Sequence, residues 1–223
     1  MRPYEEILDL AASHHGGREA VLAKIENEHA VSDPKSVSDA DYLRWMTRVV
    51  FGAGFSAKVI MNKWDNFEAA FTRFDAHRVA FFNDEDMDRL LSDKGIVRNG
   101  AKIKATIENA RMMTEIIKTH GSFGAFLAEQ SDGGQAELLA YLAKHGSRLS
   151  GTTAQYFLRY AGYDGWIATS DVCAAIVRES VLDRPKATSK TAVRAIDEAV
   201  ETLAAQGGVS RATASKLLAL SVG

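Results

Sequence analysis

Residues 98–119 read RNGAKIKATIENARMMTEIIKT, with no proline and no strand-like alternation. Ile103, Ile107, Ala110, Met113 and Ile117 recur at spacings of three and four. That periodicity gathers them on one face of a helix of about six turns. Such a stripe is buried core rather than a cofactor site. A helix this long needs neighbours to cover it, and the flanking sequence offers only more helices. They are expected at 3–13, 17–28, 38–52, 55–63, 66–72, 75–80, 84–92, 98–119, 122–128, 135–145, 151–162, 168–179, 189–206 and 210–221. Ser38 ahead of Asp39 and Asp41, and Asn83 ahead of Asp84, Glu85 and Asp86, carry the chemistry of helix N-caps. Gly95 stands where a left-handed C-cap is expected. Ser131 to Gly134 and Pro185 to Ser189 read as breaks. The fold class is therefore all-α.

Composition narrows the function. The 223 residues are 46% hydrophobic and 25% charged, the profile of a globular chain. The lone cysteine, Cys173, excludes an internal disulfide and any zinc site that needs several cysteines. The histidines lack ligand spacing. No apolar run reaches the roughly 18 residues of a membrane span, and the acidic start MRPYEEILDLAAS lacks a signal peptide's apolar stretch. A cytoplasmic protein with no membrane contact is expected.

The net charge of −2 argues mildly against a partner held by charge alone, but it averages a gradient. Residues 1–45 carry five Lys/Arg and nine Asp/Glu, whereas residues 46–120 carry twelve and ten. Basic side chains cluster at Lys94, Arg98, Lys102 and Lys104, at Lys144, His145 and Arg148, and at Arg184, Lys186, Lys190 and Arg194. Each cluster also fits a solvated helix face.

The segment Lys144-His145-Gly146-Ser147-Arg148-Leu149-Ser150-Gly151-Thr152-Thr153-Ala154 runs from one helix through a glycine-bearing turn into another. Small residues let the backbone approach a phosphate, and the free amides of a helix N-terminus bind anions. Lys144 and Arg148 add charge, and Thr152 and Thr153 add hydroxyls. Arg148 and Ser150 stand where glycines are common in such turns. These residues fit either a DNA-gripping hairpin or an ordinary helical corner.

Two blocks sharpen the choice. The first holds Ala53-Gly54-Phe55-Ser56, NFEAAFTRFD (66–75) and DEDMDRLLSDKGIVRNGAKIKATIENAR (84–111). Arg98, Lys102, Ile103, Asn109 and Ala110 are its distinctive positions. The second is KHGSRLSGTTAQYF (144–157). Together they resemble the DNA-3-methyladenine glycosylase I family, within the wider helix-hairpin-helix glycosylases. The resemblance implies a two-lobed fold, with one lobe near 45–165, a hairpin at 135–162 and a second lobe of 1–44 plus 166–223. It implies removal of an alkylated base from double-stranded DNA, with the base extruded into an aromatic pocket and no covalent intermediate. A cationic alkylated base is already a good leaving group, so shape and stacking matter more than a strong acid.

The sequence departs from that family in places. The family's zinc-binding cysteines and histidines have no counterpart. Its pocket glutamate corresponds to Val49, and its pocket tryptophan to Ala57. Asp171, eighteen residues after Thr153, lies where many helix-hairpin-helix glycosylases hold an essential aspartate. It would stabilise an oxocarbenium-like sugar or orient water, and it would equally suit a helix cap. Thr152 stands in the neighbourhood where bifunctional relatives carry a nucleophilic lysine, so no lyase step is expected.

The expectation is a monomeric, monofunctional DNA N-glycosylase with no cofactor. Asp171 would be the catalytic carboxylate. Lys144, Arg148, Gly151, Thr152, Thr153, Arg98 and Lys102 would hold DNA. Trp45, Phe51, Tyr156 and Trp166 would line the base pocket. The alternative is a catalytically inactive helix-hairpin-helix protein that binds damaged DNA.

Overall fold

The computed structural model describes residues 1–26, 31–130, 134–187 and 189–223. Among them there are fourteen α-helices and no strand. In chain order they are α1 (Tyr4–His15), α2 (Arg18–Glu26), α3 (Asp39–Gly52), α4 (Ala57–Met61), α5 (Trp64–Ala70), α6 (Ala76–Ala80) and α7 (Asp84–Ser92). Then follow α8 (Gly100–His120), α9 (Phe123–Gln130), α10 (Gln135–His145), α11 (Gly151–Tyr160), α12 (Ser170–Arg178), α13 (Lys190–Gly207) and α14 (Arg211–Leu220). Every expected helix has its counterpart. The last two residues of the expected 17–28 helix, most of the 131–134 break and Thr188 lie outside the described residues.

Two compact units share these elements. The first comprises Met1–Ser32, Gly133–Ala140 and Leu158–Gly223, and the second Asp33–Asp132 and Tyr141–Phe157. These limits differ from the expected 45 and 165. Residues 33–44 join the second unit because Tyr42 is fully buried there. Its hydroxyl donates to the Pro34 carbonyl at 2.8 Å, and its ring lies 5.0 Å from that of Phe123. Residues 158–165 join the first unit, where the Arg159 guanidinium donates to the Gly165 carbonyl at 2.7 Å.

The second unit is built around α8. The expected stripe is buried at Ile103, Ile107, Ala110 and Met113, with Ile117 half-exposed. Burial extends beyond it to Lys102, Ala105, Thr106, Asn109, Met112, Thr114 and Ile116. Helices α3, α6, α7 and α9 pack around α8. A chain of aromatic rings, Trp64, Phe67, Phe71 and Phe74, fills the space beside α3. Thr72, Arg73 and Phe74 have φ of 50°, 55° and 60°, so a left-handed turn follows α5, starting at the last residue of the expected 66–72 helix and filling the gap before 75–80. That turn brings the rings of Phe71 and Phe74 to 5.9 Å, both fully buried.

The N-caps follow the sequence. Ser38 accepts from the Asp41 amide, and Asn83 and Asp86 form a reciprocal capping box. Gly95 does not. Helix α7 ends on Asp93 with ordinary negative φ, and the Gly95 amide donates to the Asp93 carboxylate at 2.7 Å. Space there is tight, since a Cβ would come within 2.9 Å of that carboxylate and 3.1 Å of the Asn66 side chain, which would have to give way.

The first unit packs α1 and α2 with α12, α13 and α14. Trp166 is its largest fully buried side chain. The indole N–H donates to Asp197 at 2.6 Å, and the Trp166 backbone exchanges two bonds of 2.6 and 2.8 Å with the Gln135 amide. Asp164 accepts from the Arg211 and Ala212 amides, so a carboxylate sits on the positive end of α14. Buried Glu179 faces desolvation, which raises its pKa, but bonds from the Arg2 amide and the Arg178 guanidinium hold it below the ordinary carboxylate value.

The tightest approach in the second unit is at Gly124, where a Cβ would stand 2.2 Å from the Pro34 carbonyl oxygen. Both elements are backbone, so relief requires α9 to move. Gly124→Ala is expected to destabilise the protein by about 1–3 kcal/mol, seen as a lower urea midpoint at unchanged slope.

Candidate nucleic-acid interface

The turn between α10 and α11, the expected hairpin, lies within the second unit. Helix α10 ends at His145, the Gly146 amide donates to the Leu142 carbonyl at 2.9 Å, and α11 begins at Gly151. A Cβ on Gly146 would meet that same carbonyl oxygen at 2.8 Å, so a larger residue would force the backbone to shift. Leu149 is 1% exposed and anchors the turn from beneath. Arg148 and Gly151 have φ of 58° and 55°. A left-handed non-glycine costs about 1–2 kcal/mol, so the surroundings hold Arg148 in place.

Asn109 supplies much of that hold. It is fully buried on α8, yet both ends of its amide are used by one residue of the turn. Its Nδ2 donates to the Ser147 carbonyl at 3.1 Å, and the Ser147 amide donates to its Oδ1 at 2.7 Å. The side chain thus acts as a strand partner for a single residue of loop. The sequence placed Asn109 on a family pattern and gave it no role. The available signal was a polar residue among the apolar positions of a central helix.

Around this clamp, Lys144, Arg148, Gly151 and Thr152 are exposed and Thr153 is half-buried. Arg98 is exposed one residue before Asn99, the N-cap of α8. These six expected DNA contacts are on the surface of one unit.

Lys102 is not a surface cation. It is 5% exposed, and its ammonium donates to the carbonyls of Phe51 at 2.9 Å and Ala53 at 2.6 Å, at the C-terminal end of α3. The Phe55 ring lies 4.3 Å from the nitrogen. Burial, and then the charge of Arg148, push the Lys102 pKa below its ordinary value. This corrects the expectation that Lys102 reaches DNA directly: its donors are spent on protein carbonyls.

The aromatic set divides. Phe51 is fully buried, edge-on to Phe67 at 4.7 Å, and Trp166 is the buried anchor of the first unit. Both are buried in the core of their own unit, Phe51 against Phe67 and Trp166 on Asp197 and Gln135. Tyr156 is 39% exposed. Trp45 is half-buried, with the Arg48 guanidinium 4.9 Å over its ring. Phe55, 43% exposed after Gly54 with φ of 76°, is an accessible aromatic that the sequence reading quoted without assigning.

Asp171 belongs to the first unit, in the first turn of α12, and is exposed. The cap of that helix is Thr169, whose hydroxyl accepts from the Val172 amide at 3.2 Å. The Asp171 carboxylate is therefore free of the capping role that the sequence allowed it, and its near neighbour is the Ser170 hydroxyl at 3.2 Å.

Cys173 is buried, and no group of three or more His, Cys, Asp or Glu among the described residues is placed to hold a metal. Among the same residues no helix is long and apolar enough to cross a membrane.

The all-helical architecture is similar to that of solved DNA glycosylases. One crystal structure of 3-methyladenine DNA glycosylase I superposes with a TM-score of 0.52 at 27% identity, covering 61% of this chain and 84% of that one. The Staphylococcus aureus enzyme shares the fold at a TM-score of 0.53 and 22% identity, covering 68% and 91%. DNA-3-methyladenine glycosylase 1 of Escherichia coli (strain K12) is 37% identical over 75 residues, 34% of this chain. The corresponding Haemophilus influenzae protein is 28% identical over 75 residues. Each match spans 40% of the curated relative's length. The sequence model of the family described as Methyladenine glycosylase matches residues 33–156, more than half of the chain. The chain belongs to the methyladenine glycosylase family.

The clamp makes a direct prediction. Asn109→Ala leaves the Ser147 amide and carbonyl without their partner. Amide exchange at Ser147 is expected to accelerate about tenfold or more, measured by hydrogen–deuterium exchange, while α12–α14 keep their protection.

Proposed function

We propose that this protein is a monofunctional DNA N-glycosylase that excises alkylated bases of the 3-methyladenine kind, the first step of base excision repair. The observation that carries the reading is the hairpin turn. Asn109 fixes its backbone, and Arg148, Gly151, Thr152 and Thr153 stand at the start of α11. Free amides at that helix start, a glycine that admits close approach and an adjacent guanidinium form a phosphate grip with no base-reading element. Such a grip suits an enzyme that must accept a lesion in any sequence context. Lys144 and Arg98 add cations on the same unit.

In this reading Asp171 is the catalytic carboxylate. The base leaves with the electron pair of the glycosidic bond, and the sugar acquires positive charge. An ionised carboxylate stabilises that charge and orients the attacking water, which gives its proton to solvent or to the carboxylate. Exposure of Asp171 and its release from capping support the assignment. No lysine stands at Thr152, so hydrolysis without strand cleavage is the expected outcome. The protein would act as a monomer in the cytoplasm.

The decisive measurement is release of free base from methylated duplex DNA. Wild-type protein is expected to release it. Asp171→Asn is expected to lose at least about a hundredfold in rate while keeping DNA affinity and its unfolding midpoint. Release that survives Asp171→Asn unaltered removes the carboxylate from the mechanism. Selective binding to lesion-bearing duplex with no release identifies a damage-binding protein instead. Arg148→Gly suits the left-handed position and removes the side chain with its guanidinium. It is expected to weaken binding equally across sequences and to lower the salt slope of log Kd by about 1.

A further inference from the structure

Lys102 and Asn109 lie seven residues apart on α8, two turns along one face, and each binds the backbone of a different turn of the same unit. Asn109 holds Ser147 of the hairpin. Lys102 holds Phe51 and Ala53, the carbonyls at the end of α3, and so fixes the start of the Ala53-Gly54-Phe55 turn. A cation on the last carbonyls of a helix is favoured by the dipole as well as by the hydrogen bonds. The ammonium's three donors therefore meet two carbonyl oxygens and, at 4.3 Å, the face of the Phe55 ring. Gly54 turns with φ of 76°, and Phe55 reaches the surface 43% exposed.

An exposed aromatic on a short glycine turn has many orientations open to it. Here one is selected, because the ring rests on a buried cation whose own position is fixed by two backbone bonds. Through Lys102 and Asn109 the aromatic turn and the phosphate grip are both bonded to α8 within one unit.

We propose that Lys102 is a positioning residue of the glycosylase reaction, one that touches no DNA and instead holds Phe55 at a fixed offset from the hairpin. The inference rests on the reading of the protein as a DNA glycosylase. It adds that the fixed register between an aromatic contact and a phosphate grip is set through Lys102. A displacement of about 1 Å in a contact of this kind can cost a hundredfold in rate.

The test uses the full chain. Lys102→Met, Phe55→Ala and the double variant are compared for base release from methylated duplex and for DNA affinity between 50 and 200 mM salt, concentrations of roughly the span over which phosphate contacts are resolved. Lys102→Met is expected to slow release about 10- to 100-fold with the salt slope of wild type. In the Phe55→Ala background the same change is expected to cost less than about threefold, because the two act through one ring. A salt slope lowered by about 1 in Lys102→Met would show a phosphate contact and overturn the proposal. An undiminished loss in the Phe55→Ala background would overturn it too, since Lys102 would then act by another route. If Lys102→Met does not fold, the wild-type protein answers by reductive methylation of its lysines followed by mass spectrometry. Lys102 is expected to stay unmodified with or without duplex, whereas exposed Lys144 reacts in the free protein and is protected by DNA. Lys102 reacting freely and becoming protected by DNA would overturn the proposal. A wild-type protein that binds duplex without releasing base refutes the glycosylase reading, while the salt slope and the labelling still report on Lys102.

Discussion

A helix buried on most of its circumference can carry a polar side chain only where that side chain finds a partner, because an unpaired polar group costs several kcal/mol to desolvate. Helix α8 is such a helix, and four of its buried side chains are polar: Lys102, Thr106, Asn109 and Thr114. The two threonine hydroxyls return to carbonyls of α8 itself, at Lys102 and Arg111. The other two reach outward, to the end of α3 and to the hairpin turn. The desolvation constraint is thereby converted into geometry. Two surface turns that are far apart in sequence are referenced to one rigid rod.

That arrangement explains why the hairpin tolerates an unfavourable residue at its tip. Arg148 in a left-handed conformation would destabilise an isolated turn. With Leu149 buried on one side and Ser147 tied to Asn109 on the other, the backbone has little freedom left, and the guanidinium is presented where a glycine would offer nothing. A charged side chain is gained at a position that simple turn chemistry would give to glycine.

Much of the architecture was legible in the sequence. The 3.6-residue periodicity of α8, the caps at Ser38 and Asn83 and the hairpin limits at 135–145 and 151 all rest on local rules, and local rules are visible along the chain. The differences between sequence and structure have a common cause. Gly95 looked like a C-cap, but what restricts it is contact with Asn66, nearly thirty residues away. Phe51 and Trp166 looked like candidate stacking groups because aromatics serve cores and pockets alike, and periodicity does not separate the two. Lys102 looked like one more member of a basic cluster. Its burial follows from the approach of α3 to α8, which no spacing within residues 94–104 records.

By itself, then, the sequence determined the all-α class, the order of the helices and the glycine-bearing turn with its cations, because each depends on interactions within a few residues. Only the tertiary structure decided which polar groups are spent inside the protein and which remain for a partner. Lys102 and Asn109 are spent on backbone, whereas Arg148, Thr152 and Asp171 are left outward. The reason is physical: whether a charged or amide side chain meets water or a carbonyl depends on what packs against its helix, and that is fixed by contacts between distant segments of the chain.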